Sequence, residues 1–145
     1  MLAFITYDNE HHRIGLIGFS TAVPKVPNSC GLEHISFTFS DLTSLLLAYR
    51  QRKARGILPL WSVNHGPTTS LDYRDPDGHM LETQVDNFEM IDEVARFMGS
   101  TSFAENPIGT DVDPEELISR ITSGEDEMSV KKRVEIGPRG LPDFL

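Results

Sequence analysis

The fold of this chain is set by residues 63–82, which read Val63-Asn-His-Gly-Pro-Thr-Thr-Ser-Leu-Asp-Tyr-Arg-Asp-Pro-Asp-Gly-His-Met-Leu-Glu82. The Asp-Pro-Asp-Gly at 75–78 is strong turn chemistry, because proline fixes φ and glycine accepts the positive φ of a tight hairpin. The segments on either side, 68–74 and 79–85, have the length and composition of paired antiparallel strands. Glu82 therefore projects from mid-strand, where an enclosed carboxylate requires a cation, a donor or water.

A strand and a helix are predicted upstream of this hairpin. Residues 33–39 read Glu-His-Ile-Ser-Phe-Thr-Phe, and the alternation predicts a strand with His34 on its polar face. A helix is predicted to follow at once, with Ser40 or Asp41 as its cap and Gly56 as its end. Its buried stripe is predicted to comprise Leu42, Leu45, Leu46 and Tyr49.

A further strand is predicted over residues 58–65, so the order of elements is β-α-β-β-β. With His-x-Ser-Phe on its first strand and His-Gly-x-x-x-Ser-Leu-x-Tyr-x-Asp-Pro-x-Gly-x-x-x-Glu at its end, this unit resembles the vicinal oxygen chelate superfamily. Within it, the unit is most similar to type I extradiol dioxygenases of the biphenyl-2,3-diol and catechol 2,3-dioxygenase kind. The resemblance covers roughly residues 2–88.

The resemblance implies a fold and a chemistry. The expected fold is α+β: a βαβββ module forming a cup-shaped mixed sheet, preceded by a partial first module and followed by a helical C-terminal tail. The family holds one iron(II) by two histidines and one glutamate and inserts dioxygen into a catechol ring. We therefore expect Fe(II), or alternatively Mn(II), as the cofactor and a small aromatic diol and O2 as the substrates.

Carried over position by position, the resemblance implies a set of site residues. His34 and Glu82 match metal ligands, and His65 matches a histidine that contacts bound substrate. Upstream, a strand is expected around His12, which matches the acid/base histidine of the family better than His11 does.

One position departs from the family pattern. The family has an active-site tyrosine between Leu71 and Tyr73, where this chain has Asp72. A phenol donates a hydrogen bond at neutral pH, whereas an ionised aspartate only accepts one. Asp72 can therefore take a comparable part in catalysis only if burial near another carboxylate keeps it protonated.

The N-terminal residues depart further from the family pattern. Residues 2–7 read as a late strand of the preceding module, so the family's first histidine ligand has no counterpart. The chain supplies two of the three ligands of a 2-His-1-carboxylate site. Three explanations are open: a truncated or misassigned start, which the family-like spacings favour; a strand supplied by another subunit; or a cup that has lost its metal.

Other functions and roles are also open. A metal-free module that sequesters an aromatic small molecule is the main alternative, and a glyoxalase-type isomerase or lyase would require a further carboxylate ligand. Glu82 could instead pair with Arg74, His65 could cap its own loop, and Asp72 could lie on an exposed face. The aromatic residues Trp61 and Tyr73 are expected in the core.

The predicted domains are 1–99, with a partial first module at 1–22 and a complete second module at 31–88, and a C-terminal helix and irregular tail at 100–145. A helix is predicted over 89–98, with Ile91, Val94, Ala95 and Met98 on its apolar side. A polar loop is expected over 100–112. A second helix is predicted from Asp113-Pro114 to about Thr122.

Composition sets the remaining limits. The net charge of −9, from 13 basic and 22 acidic residues, argues against a nucleic-acid surface. Cys30 is the single cysteine, which excludes an intrachain disulfide and agrees with a reducing compartment. Because Asp8 and Glu10 follow Met1 so soon, we expect no secretory signal, and no apolar run in the sequence approaches membrane-spanning length. We therefore expect a cytoplasmic homo-oligomer that binds neither nucleic acid nor a membrane.

Overall fold

The computed structural model describes residues 1–26 and 30–143. The chain divides into two compact units, Met1–Cys30 and Gly31–Leu145. The elements in chain order are β1 (Leu2–Ile5), β2 (Ile14–Ile17), β3 (His34–Phe39), α1 (Leu42–Lys53), β4 (Trp61–Asn64), β5 (Thr68–Arg74), β6 (Met80–Asp86), α2 (Ile91–Met98), α3 (Thr101–Glu105), β7 (Thr110–Asp111), α4 (Pro114–Thr122) and α5 (Glu127–Val130).

The first unit is an antiparallel ribbon in which β1 pairs with β2, with Leu2 opposite Ile17. The prediction of a strand around His12 is wrong, because β2 begins only at Ile14 and His12 lies in the connection between the two strands. That connection is held by Arg13, whose guanidinium donates to the Asp8 carboxylate at 2.8 and 3.0 Å.

The second unit is built on a five-stranded open sheet of order β3-β6-β5-β4-β7. β3 runs parallel to β6, and the other neighbours are antiparallel, so the sheet is mixed. The α+β class and the β-α-β-β-β order are confirmed. The predicted loop over 100–112 is wrong, since it contains α3 and also β7, which adds an outer strand beside β4.

The predicted hairpin between β5 and β6 is confirmed. The carboxylate of Asp75 accepts from the backbone N–H groups of Asp77 and His79 at 2.9 and 2.8 Å. Gly78 has φ +90°, a conformation that glycine adopts without steric cost. This turn fixes the register of the hairpin, which places Asp72 directly opposite Glu82.

Helix α1 lies against the apolar face of the sheet and carries the core. Asp41 caps it by accepting from the Ser44 N–H at 2.6 Å. The predicted stripe is buried, and it packs with side chains from the sheet and from α4; the core cluster comprises Leu42, Leu45, Leu46, Tyr49, Leu71, Tyr73, Val85, Leu117, Ile118 and Val130. The sheet is thereby covered on one side, which leaves its polar side for the site.

Several predicted boundaries and faces need correction. β4 begins at Trp61 and not at residue 58, because the backbone joins the sheet only from Leu60, whose N–H donates to the Asp72 carbonyl. The predicted apolar side of α2 is not its packed side, since Ile91 is 77% exposed. The ring of Phe97 instead packs between Phe88 and Phe103.

The C-terminal region contains more structure than the sequence predicts. The helix from Asp113 is confirmed as α4, with the Asp113 carboxylate accepting from the Glu115 N–H at 2.9 Å. The short helix α5 follows within the predicted irregular tail, capped by Asp126. Every helix in the described part of the chain is too short or too polar to cross a membrane.

Candidate metal and substrate site

A cavity of about 400 Å³ opens on the polar side of the sheet. It is lined by Glu33, His34, Trp61, His65, Asp72, Met80, Glu82 and Leu141. Strand register explains this clustering: Glu82 stands opposite Ser36 on one neighbouring strand and opposite Asp72 on the other, and Asp72 stands opposite Trp61. The cavity therefore gathers residues from four adjacent strands and from the C-terminal tail.

His34 and Glu82 lie at the centre of this group. The Nε2 atom of His34 is 3.2 Å from Oε2 of the buried Glu82. The opposite ring nitrogen, Nδ1, contacts the carboxylate of Glu33. Burial lowers the pKa of His34, but the Glu33 hydrogen bond and the charges of Glu82, Glu33 and Asp72 raise it above its ordinary value overall. Glu82 pairs with His34 across two strands.

The donor set of His34 and Glu82 fits a divalent metal ion. Imidazole nitrogen and carboxylate oxygen are the ligand types of the 2-His-1-carboxylate arrangement. Two ligands at ~2.1 Å from one ion and at right angles lie about 3 Å apart, close to the 3.2 Å found here. The Glu33 contact also follows the usual pattern, in which a carboxylate holds the second nitrogen of a ligating histidine.

The described residues supply this pair without a third ligand. Across residues 1–26 and 30–143, no group of three or more His, Cys, Asp or Glu side chains is arranged to hold a metal ion.

Asp72 lies in the cavity and not on an exposed face, with 7% of its surface accessible. Burial, followed by the negative charges of Glu82 and Glu33, raises the pKa of Asp72 to about 7, while His34 acts in the opposite direction. In the metal-free protein the Asp72 carboxyl is therefore partly protonated at neutral pH. A protonated carboxyl can donate a hydrogen bond, as the phenol of the family tyrosine does.

His65 follows the end of β4 and lines the same cavity. Its Nδ1 lies 2.6 Å from the carbonyl oxygen of Ile108, and its ring meets the Trp61 ring edge-on at 5.5 Å. Burial lowers the pKa of His65. The role of loop cap belongs to Asn64, whose side-chain oxygen accepts from the Gly66 N–H at 2.9 Å.

His12 belongs to the first unit. Its Nδ1 is 2.8 Å from Nδ1 of His11, and its ring packs against Phe4 at 4.8 Å. Its acid/base role stays a prediction from the resemblance.

Trp61 lines the cavity, although the sequence predicts it in the core. Its Nε1 donates to the Asp111 carboxylate at 2.7 Å. Tyr73, in contrast, is buried in the core as predicted. Met80 could have been found from strand alternation, because it shares a face with Glu82. Leu141 had no local signal, since it reaches the cavity from an irregular segment.

Two curated proteins from Rhodococcus globerulus are similar to most of this chain. Biphenyl-2,3-diol 1,2-dioxygenase 2 is 42% identical over 124 residues, which cover 85% of this chain and 65% of the relative. Biphenyl-2,3-diol 1,2-dioxygenase 3 is 39% identical over 134 residues, which cover 91% of this chain and 70% of the relative. The chain thus spans about two thirds of the length of either relative.

No family model matches the chain. No solved structure matches it either. The two relatives confirm the resemblance that the hairpin sequence indicates. The chain therefore belongs to the biphenyl-2,3-diol 1,2-dioxygenase family, among the extradiol dioxygenases of the vicinal oxygen chelate superfamily.

Proposed function

We propose that this protein is a metal-dependent extradiol dioxygenase, which cleaves the ring of a catechol that bears an apolar substituent, such as biphenyl-2,3-diol. The single observation that carries the proposal is the 3.2 Å approach of His34 Nε2 to Glu82 Oε2 within the cavity. The names of the two relatives support the same reaction. They favour an enzyme over a metal-free binding module.

His34 and Glu82 are the residues that would hold the metal, which we propose to be Fe(II), with Mn(II) as the alternative. When bound, the ion supplies Lewis-acid chemistry, which lowers the pKa of a coordinated hydroxyl group. The family pattern assigns the third ligand to the module that precedes β3. Glu33 would orient the imidazole of His34 toward the ion through its contact with Nδ1.

The other cavity residues would bind and orient the diol. Trp61, Met80 and Leu141 offer apolar surface to an aromatic ring and its substituent. Asp72 would donate a hydrogen bond from its protonated carboxyl to a substrate oxygen, in the place of the family tyrosine. His65 would contact the substrate hydroxyl groups. The family resemblance, and not a position in this cavity, is the ground on which we assign the acid/base role to His12 of the first unit.

The test of this proposal is anaerobic loading of the full chain with Fe(II), followed by biphenyl-2,3-diol and then air. A yellow ring-opened product and consumption of one O2 per diol are expected. His34→Ala and Glu82→Ala should each abolish iron binding and turnover, whereas Glu89→Ala, which removes an exposed carboxylate away from the cavity, should not. Retention of bound iron and ring cleavage by Glu82→Ala would refute the assignment.

We also propose that the chain works in the cytoplasm as a homo-oligomer. The ribbon of the first unit supports assembly, since an isolated two-stranded ribbon is marginally stable and its apolar side chains, such as Phe4 and Ile17, are exposed. Light scattering on the purified chain should give at least twice the 16.2 kDa mass of one copy. A monomer at micromolar concentration would contradict this part of the proposal.

A further inference from the structure

The carbonyl oxygen of Ile108 fixes which ring nitrogen of His65 carries a proton. Nδ1 of His65 lies 2.6 Å from that oxygen. Because a carbonyl oxygen only accepts hydrogen bonds, Nδ1 must be the donor. A neutral imidazole has one N–H, so Nε2 then keeps its lone pair. Burial lowers the pKa of His65, which favours this neutral ring.

The position of the Ile108 carbonyl depends on Asn106. This side chain is only 1% exposed, and it closes the turn that contains Ile108. Its Oδ1 accepts from the Gly109 N–H at 2.8 Å, and its Nδ2 donates to the Gly109 carbonyl at 3.0 Å. Gly109 has φ +110°, and a Cβ there would stand 2.4 Å from the Asn64 carbonyl oxygen. The turn is therefore held tightly against the end of β4.

Arg133 binds both segments that form the hydrogen bond between His65 and the Ile108 carbonyl. Its side chain is only 2% exposed. Its Nη1 donates to the carbonyl of His65 at 3.1 Å and to the carbonyl of Asn106 at 2.9 Å. The guanidinium also lies over the Phe97 ring at 4.9 Å and pairs with the Glu135 carboxylate. One buried cation thus binds both the His65 segment and the turn that presents the Ile108 carbonyl.

We propose that Asn106 and Arg133 are positioning residues that keep His65 in the tautomer with a proton on Nδ1 and none on Nε2. In this tautomer Nε2 of His65 can accept a proton from a substrate hydroxyl. This inference rests on the proposed function and gives His65 a role beyond orientation. In the step, the hydroxyl O–H bond breaks, its electron pair stays on oxygen, and an N–H bond forms at Nε2. The product pair is a phenolate and an imidazolium whose Nδ1–H still donates to Ile108.

The tautomer can be measured without metal or substrate. In full-length protein labelled with 15N-histidine, long-range proton–nitrogen correlations report which nitrogen of each ring is protonated, and His65→Gln identifies the signals of His65. Wild-type protein should show Nδ1 protonated and Nε2 bare. Asn106→Ala and Arg133→Lys should mix the two tautomers, while Ile118→Val, a core change in α4 outside the cavity, should leave the wild-type pattern.

The kinetic arm uses the Fe(II)-loaded protein and biphenyl-2,3-diol. We expect Asn106→Ala and Arg133→Lys to lower kcat/KM by roughly tenfold or more, since displacement of a proton-transfer group is costly. Arg133→Lys leaves the side-chain hydrogen bonds of Asn106 in place, so it tests the inference if Asn106→Ala does not fold.

The outcomes separate the inference from the proposed function. A wild-type His65 with its proton on Nε2 overturns the positioning role, whatever the activity. An unchanged tautomer and unchanged kcat/KM in the folded Asn106 and Arg133 variants also overturn it. If the wild-type tautomer is as expected but the loaded chain cleaves no diol, the proposed function fails and the proton-acceptor role fails with it, while the hydrogen-bond arrangement stands.

Discussion

His34 and Glu82 lie on neighbouring parallel strands, with Nε2 of the histidine 3.2 Å from Oε2 of the glutamate. The register places Glu82 opposite Ser36, so the two side chains share one face of the sheet and meet diagonally. The pair is asymmetric, because Glu82 is buried in the interior of the sheet while His34 lies on the edge strand β3. A metal ion held by this pair would therefore be accessible from the cavity beside His34.

Removal of the Glu33 carboxylate should weaken metal binding without loss of the fold. Glu33→Gln removes the charge that holds Nδ1 of His34, and such changes beside a ligating histidine lower affinity by roughly 10–100-fold. Titration of Fe(II) or Mn(II) by calorimetry under nitrogen gives the affinity. Glu89→Gln is the matched control, and equal affinities of the two variants would contradict the role assigned to Glu33.

The raised pKa of Asp72 predicts a pH-dependent stability in the metal-free protein. Between about pH 4 and pH 7 the folded state keeps a proton that the unfolded state loses, so the free energy of unfolding should fall as the pH rises through that window. Asp72→Asn removes this dependence. At pH 8 it should be more stable than wild type by up to about 4 kcal/mol, with the difference vanishing near pH 4.

Urea unfolding of wild type and Asp72→Asn at several pH values tests this relationship. Glu89→Gln, at an exposed position, should follow the wild-type pH profile. Parallel profiles for wild type and Asp72→Asn would mean that the Asp72 carboxyl ionises in the folded protein as it does in the unfolded chain.

Leu141 should affect the preference among diols. It is 67% exposed at the cavity, so a bulky substituent would cover it while an unsubstituted catechol would reach less of it. Leu141→Ala should therefore raise KM for biphenyl-2,3-diol by roughly 3–10-fold and leave KM for catechol within about twofold. Leu47→Ala, at another exposed leucine on α1, is the control, and a uniform change for both diols would contradict the prediction.

Loss of the cap on α1 should destabilise the second unit. Asp41→Ala removes the acceptor for the Ser44 N–H, at a cost of about 1 kcal/mol in the free energy of unfolding. Asp41→Asn keeps an acceptor at the same place and should retain most of the stability. Chemical unfolding followed by circular dichroism measures both, and equal losses for the two variants would argue against a capping role.

Local sequence was sufficient for most elements of the second unit. The alternation in residues 33–39, the stripe of α1, and the Asp-Pro-Asp-Gly turn all act over a few residues, so each could be interpreted without knowledge of the rest of the chain. The ligand pair was assigned from the family resemblance, whose hairpin signature ends at Glu82. Elements without a strong local pattern, such as β7 and α5, were missed because their formation depends on packing against other parts of the chain.

The sequence alone therefore predicted the family and the order β-α-β-β-β, and its resemblance to that family supplied the candidate roles of His34, Glu82, His65 and Asp72. Tertiary contacts were needed to establish that Asp72 is buried beside Glu82 and that Leu141 lines the cavity. They were also needed for the Ile108 and Arg133 contacts that hold His65. The physical reason is the sequence distance over which the interactions act. Turns and periodicity depend on neighbouring residues, whereas burial, raised pKa values and the hydrogen bonds that hold His65 arise between segments far apart in the chain.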